Sequence, residues 1–204
     1  MTRRGAVRMR EVAVRDYILV KKEKEANMPL IDVICPADAL SRSAKQKLTE
    51  TLWAKALQWE GIEVNESTGS VAWVYLDERP KHQIGVGGHA LTQNIYRINV
   101  RVMAGFMDQE RIDGMARDLT DAIVAADGTA GDGSGARVFC IVEEIPSGTW
   151  SIDGKTWTTV FTAKALGLDD RRIEAMERAI ADRPRIDVPL KAHDSLRQPQ
   201  AFAS

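Results

Sequence analysis

The sequence predicts an α+β fold: two consecutive β-α-β units forming a four-stranded sheet with two helices on one face, followed by a helical C-terminal tail. Three observations carry this prediction. A strand-like apolar run, a helix of apolar periodicity and a second apolar run occur in that order twice. The two copies keep a spacing of 67 positions from Pro29 to Tyr96 and 66 from Gly85 to Ser151. Each copy closes in a Gly-containing hairpin pattern. A parallel β-α-β crossover is right-handed and covers one face of its sheet with helix, so the other face needs a partner.

Taken in order, residues 1–27 form an N-terminal extension expected to be an upstream mis-start. The segment has no continuous hydrophobic core of the signal-peptide kind, and its acids argue against a transit peptide. Lys24-Glu25 can be encoded by a purine-rich ribosome-binding sequence ahead of Met28. The segment holds eight Lys/Arg and four Asp/Glu, which leaves 20 and 25 for the remainder, a net of −5. A body of that sign is not expected to bind nucleic acid, and the basic segment lacks aromatic interleaving for base stacking. No apolar run approaches the ~20 residues of a transmembrane helix, so no membrane span is expected.

The first unit, residues 29–90, opens on Pro29–Cys35, an apolar run of strand type. Ser41 is the N-cap candidate of a helix reaching about Trp59, with Ala44, Leu48, Leu52 and Ala56 at helical spacing. The apolar run 71–76 is the closing strand, ended by Asp77-Glu78-Arg79-Pro80, and Ile84-Gly85-Val86-Gly87-Gly88 is its hairpin. In the second unit, residues 95–157, Ile95–Met103 is the opening strand and Asp108 the N-cap candidate. Ile112, Met115, Leu119 and Ile123 make one helix face, and Val138–Pro146 is the closing strand. Alternation places Tyr96, Ile98, Val100 and Val102 on the helix side and Arg97, Asn99, Arg101 and Met103 on the other. That second set faces either a site or an oligomer interface, where the arginines would pair with carboxylates. The Gly-rich 127–135 segment neither follows a strand nor ends in Gly-Lys-Ser/Thr, so it is a connector and not a phosphate loop. Residues 158–204 form an accessory helical and flexible tail, with a helix predicted over 169–182.

Several residues carry no catalytic assignment. Glu143 and Glu144 are adjacent and point to opposite faces, so they cannot act as a carboxylate pair. Asp32, which matches Asn99 in the repeat, is expected at an interface, and Trp73, Tyr75 and Trp157 as core or interface aromatics. His82, His89 and His193 lack metal-ligand spacing, and Cys35 and Cys140 lie in apolar runs as expected of reduced thiols in a cytoplasmic protein.

Met28-Pro29-Leu30-Ile31-Asp32-Val33, the helix that follows, and the doubled unit with hairpins 82–88 and 144–154 resemble the tautomerase superfamily over about residues 29–157. That superfamily includes 4-oxalocrotonate tautomerase, macrophage migration inhibitory factor, malonate semialdehyde decarboxylase and cis-3-chloroacrylic acid dehalogenase. The resemblance implies a homotrimer of fused-dimer subunits and a cofactor-independent keto-enol tautomerase acting on a small carboxylate or carbonyl substrate. Pro29 would be the N-terminal catalytic amine once Met28 is removed. Such an amine titrates near ~8, whereas a proline nitrogen within the chain is an amide without basicity. Trp150 is placed as a pocket wall. Arg101, or Arg97 one alternation earlier, would replace anion-binding arginines that the superfamily carries where this chain has Met103, Phe106, Pro36 and Ala39. The dehalogenase's helix histidine, tyrosine and glutamate fall on Ala56, Ile141 and Ile152, which disfavours dehalogenation. Two alternatives stay open: a decarboxylase or hydratase with cationic Pro29, or a non-catalytic trimeric interaction protein if the chain begins at Met1.

Overall fold

The computed structural model describes residues 29–181 apart from 71, 130, 132 and 153. The extension 1–27 and the end of the tail lie outside the described residues.

Strand β1 (Leu30–Pro36) alternates as expected: Ile31, Val33 and Cys35 are buried, while Leu30, Asp32 and Ile34 are half-exposed. Helix α1 (Arg42–Glu60) starts where the Ser41 hydroxyl accepts the Ala44 N–H at 3.1 Å. It stops at Gly61, whose φ of 67° is left-handed and suits glycine. A single turn, α2 (Glu66–Gly69), was not foreseen; a reciprocal Asn65–Thr68 capping box holds it. Strand β2 (Trp73–Arg79) continues into the charged stretch predicted to end it. It pairs in parallel with all of β1, out to Pro36 opposite Arg79, and as an edge strand it tolerates the exposed charges.

The second unit repeats the plan. Strand β5 (Tyr96–Met103) leads to α3 (Gln109–Asp127), capped by Asp108 accepting the Arg111 N–H at 2.9 Å, and then to β6 (Val138–Ile145). The sheet order is β2-β1-β5-β6, with an antiparallel centre and parallel flanks. Asp32 stands directly opposite Asn99, the pairing that a duplicated unit produces at its pseudo-two-fold axis. Hairpins β3–β4 (Gly85–Val86, His89–Ala90) and β7–β8 (Trp150–Ile152, Lys155–Trp157) follow the two closing strands.

Both long helices cover the face that carries Ile31, Val33, Ile98, Val100 and Val102, all fully buried. Each such side chain contributes about 1.5–3 kcal/mol by leaving water. The helices meet closely at Gly114, where a Cβ would lie 2.1 Å from the Trp59 ring. Helices α4 (Thr159–Ala165) and α5 (Asp170–Ala181) also join the core through buried Thr162, Ala163, Ile173 and Met176. The Thr159 hydroxyl donates to the Ala104 carbonyl at 2.8 Å, so this part of the tail is tied to the end of β5. No helix among the described residues is long and apolar enough to cross a membrane.

Among the described residues, no helix covers the opposite sheet face. Trp73 is 57% exposed, Tyr75 51%, Phe139 74% and Ile141 47%, with Trp73 and Tyr75 packed edge to face. Isolated exposed apolar residues are ordinary, but an aromatic-rich face spread across a sheet marks an interaction surface.

Candidate active site

Pro29 is buried at the head of β1, and its carbonyl accepts the Trp73 N–H at 3.1 Å. Leu30 pairs with Arg101, so Pro29 stands one position beyond, at the end of the sheet where β5 and β6 finish. In the 204-residue chain its nitrogen follows Met28 and is an amide.

Arg101 belongs to this end. Its Nη1 donates to Asp32 Oδ2 at 2.6 Å and its Nε to Glu143 Oε2 at 3.2 Å. The register explains the cluster: Arg101 lies opposite Glu143, and Asp32 is its diagonal neighbour on the same open face. The pairing expected across an oligomer interface is thus made within one chain. Two carboxylates against one guanidinium leave a net charge of −1 here. Arg101 Nη2 has no hydrogen-bond partner among the described residues.

Trp150 is half-buried against the core in β7, opposite Trp157. Its hairpin is anchored at the same end of the sheet: Gly148 N–H donates to the Trp157 carbonyl at 3.1 Å, and Thr159 N–H to Ser147 Oγ at 3.0 Å. Trp157 is buried and stacks edge to face on Phe161, as befits a core aromatic.

Arg97 lies elsewhere. It pairs with Ile34, five residues along β1 from Pro29, and five strand steps span ~17 Å. Within one chain the structure therefore places Pro29, Arg101 and Trp150 toward one end of the sheet and Arg97 at the other.

The Arg97 end holds a network that sequence reasoning missed. Asp127, at the end of α3, accepts from the Tyr96 hydroxyl at 2.5 Å, Asn94 at 2.9 Å and Arg137 at 2.9 Å. Burial alone would raise the Asp127 pKa, but hydrogen bonds from Thr129, Tyr96, Asn94 and Arg137 outweigh it and hold the carboxyl at about 2. Burial, and then the bond to Asp127, raise the Tyr96 phenol. The one available signal was positional, since Tyr96 occupies in the second unit the place of Pro29.

Neither cysteine is poised as a nucleophile. Burial pushes both the Cys35 and Cys140 thiols up to about 11. Among the described residues, no three His, Cys, Asp or Glu side chains gather as metal ligands.

No family model and no curated protein matches the chain. Solved structures do. The chain is similar to a native fused 4-OT at 20% identity and TM-score 0.54, over 68% of this chain and 98% of that one. It is similar to the F6 fused 4-OT wild-type asymmetric trimer at 20% identity and TM-score 0.53, with the same coverage of 68% and 98%. The macrophage migration inhibitory factor of Toxoplasma gondii matches at 13% identity and TM-score 0.51, over 63% and 99%. With the duplicated unit, the antiparallel junction of β1 and β5 and the two closing hairpins, these likenesses give the chain the tautomerase superfamily fold.

Proposed function

We propose that the protein is a cofactor-independent keto-enol tautomerase in which Pro29, freed as the N-terminal residue, moves a proton on a small enol or keto acid. The observation that carries this reading is a buried proline heading β1, directly after a methionine, in a tautomerase superfamily fold. As a neutral secondary amine, Pro29 takes the enol O–H proton, and the resulting ammonium returns a proton to the adjacent carbon. Arg101 offers its remaining Nη2 edge to the substrate carboxylate, and Trp150 lines the apolar side. Asp32 and Glu143 fix the guanidinium so that little side-chain entropy is lost on binding.

The test compares the chain beginning at Pro29 with the 204-residue chain in ketonisation of phenylenolpyruvate. The Pro29-terminal form is expected to be active and the longer form inactive. Pro29→Ala in the shorter form is expected to lower kcat/KM by at least about 100-fold, the scale of one general base. Equal activity in both forms would remove the amine from the mechanism.

A second reading rests on the charge of this end. The net −1 of Asp32, Arg101 and Glu143 favours a protonated amine, which suits decarboxylation or hydration. An amine pKa well above 7, measured by ¹⁵N NMR, selects it. If Met28 is retained the nitrogen has no basicity, and a trimeric interaction role takes its place. In either case we infer a homotrimer that covers the Trp73 and Tyr75 side of the open sheet face and a cytoplasmic location that keeps both thiols reduced.

A further inference from the structure

We propose that the cavity beside Tyr96 is a second, separate binding site for a small amphipathic monocarboxylate, with Arg97 as its anion contact. The cavity, about 590 Å³, lies between the β3–β4 hairpin and the open face of the sheet at the end remote from Pro29. Its size is that of small-molecule pockets.

Its walls define the ligand. Ile34 and Phe139 flank Arg97 in register on the sheet, and Ile84, Val86, Ala90 and Leu91 face them from the hairpin side. Phe139 is 74% exposed, a large apolar surface that a bound hydrocarbon would remove from water. Two arginines and His89 also line the cavity, and no Asp or Glu does. That is a marked local bias in a body with 25 acids against 20 Lys/Arg beyond residue 27.

The two arginines are not equivalent. Arg137 is committed: Nη1 bonds Asp127 Oδ2 at 2.9 Å and the Asn94 carbonyl at 2.8 Å, and Nη2 bonds Thr129. Asp127 is ionised at neutral pH, so this pair carries no net charge. Arg97 is exposed and has no ion pair among the described residues. One free guanidinium fork amid apolar walls matches a single carboxylate on an aryl or branched alkyl chain. A doubly charged phosphate would have only one compensating cation. Tyr96 stands where the first unit has Pro29, so this end binds without an amine. The proposal needs neither a free Pro29 nor the tautomerase reading.

The test is a methyl-NMR and calorimetric titration of the 204-residue protein with 3-phenylpropanoate. Saturable binding at about 1 mM or tighter is expected for a ligand of this size. Shifts should appear at the Ile34, Ile84, Val86 and Leu91 methyls, and not at Leu30 and Ile145 beside the Pro29 end. Arg97→Gln, an exposed substitution whose fold is checked by the same spectrum, should weaken binding about tenfold or more, and the neutral 3-phenylpropanamide should bind equally poorly. The site is overturned by no saturation at 10 mM, by equal affinity for acid and amide, by an unaffected Arg97→Gln, or by shifts confined to Leu30 and Ile145. None of these outcomes bears on ketonisation by the Pro29-terminal chain.

Discussion

Glu60 shows how much a single side chain can carry. It ends α1 fully buried, with both carboxyl oxygens lacking a hydrogen-bond partner among the described residues. Arg172 approaches, but its guanidinium bonds the Glu60 and Gly61 carbonyls and not the carboxyl. Burial pushes the Glu60 pKa up to about 8, against the pull of Arg172. In the unfolded chain the group titrates near ~4.3. Between those values the folded state holds the extra proton, so this contribution to stability is complete below pH ~4.3, declines as pH rises and levels off above about 8. Glu60→Gln is therefore expected to leave the melting temperature nearly unchanged at pH 4.5 and raise it by about 4 °C or more at pH 8.5. Scanning calorimetry at the two values checks this, and a pH-independent difference would refute it. Arg101 behaves differently, because its ion pairs are about a third exposed or more. Arg101→Ala should change stability by less than about 1 kcal/mol in denaturant titration. On the tautomerase reading it should raise KM in the phenylenolpyruvate assay. Neither environment was legible in the sequence. Parity put Arg101 on the open face, but only the strand register sets Asp32 and Glu143 beside it, and nothing local marks Glu60 as the terminus of a helix covered by α5.

Elements were the most legible level, because their causes are local. Ser41 and Asp108 cap the two long helices as their residue types predict, and the period-two alternation of β1 and β5 sorts core from open face except at Met103, expected on the open face but buried at the end of β5. Discrepancies arise where tertiary pairing overrides composition. Strand β2 extends through Asp77-Glu78-Arg79 because β1 supplies a ladder partner to its end. Helix α4 forms on a Thr158 N-cap with little apolar periodicity to announce it. The contact of α1 with α3 was equally hidden, since Gly114 looks like a weak point in a helix. Its lack of a Cβ is what admits the Trp59 ring, whose Nε1–H donates to Asp118 at 3.2 Å. Gly114→Ala gains helix propensity of up to about 1 kcal/mol but creates a clash costing about 1–3 kcal/mol. Net destabilisation is expected, seen as a lower urea midpoint with unchanged slope, and Trp59→Leu should relieve it.

For the whole molecule, the duplicated plan was readable from spacing alone, whereas assembly was readable only as an uncovered face. That face carries Trp73, Tyr75, Phe139 and Ile141. If its Trp73 and Tyr75 side is buried in the inferred trimer, Trp73→Asp with Tyr75→Asp should shift the mass in solution from about three chains toward one, measured by light scattering. A wild-type monomer would exclude the trimer. The placement of Asp32 opposite Asn99 has a further consequence for the history of the chain. A perfect duplication would pair identical residues at the dyad, and here the pair differs by one charge. Arg101 corresponds by the repeat spacing to Ile34, and Arg97 to Leu30. Both arginines of the open face thus sit in the second half, at places where the first half is aliphatic. Drift on a symmetric template has produced two unlike ends, and a mutation in one half has no mirror image that could complement it.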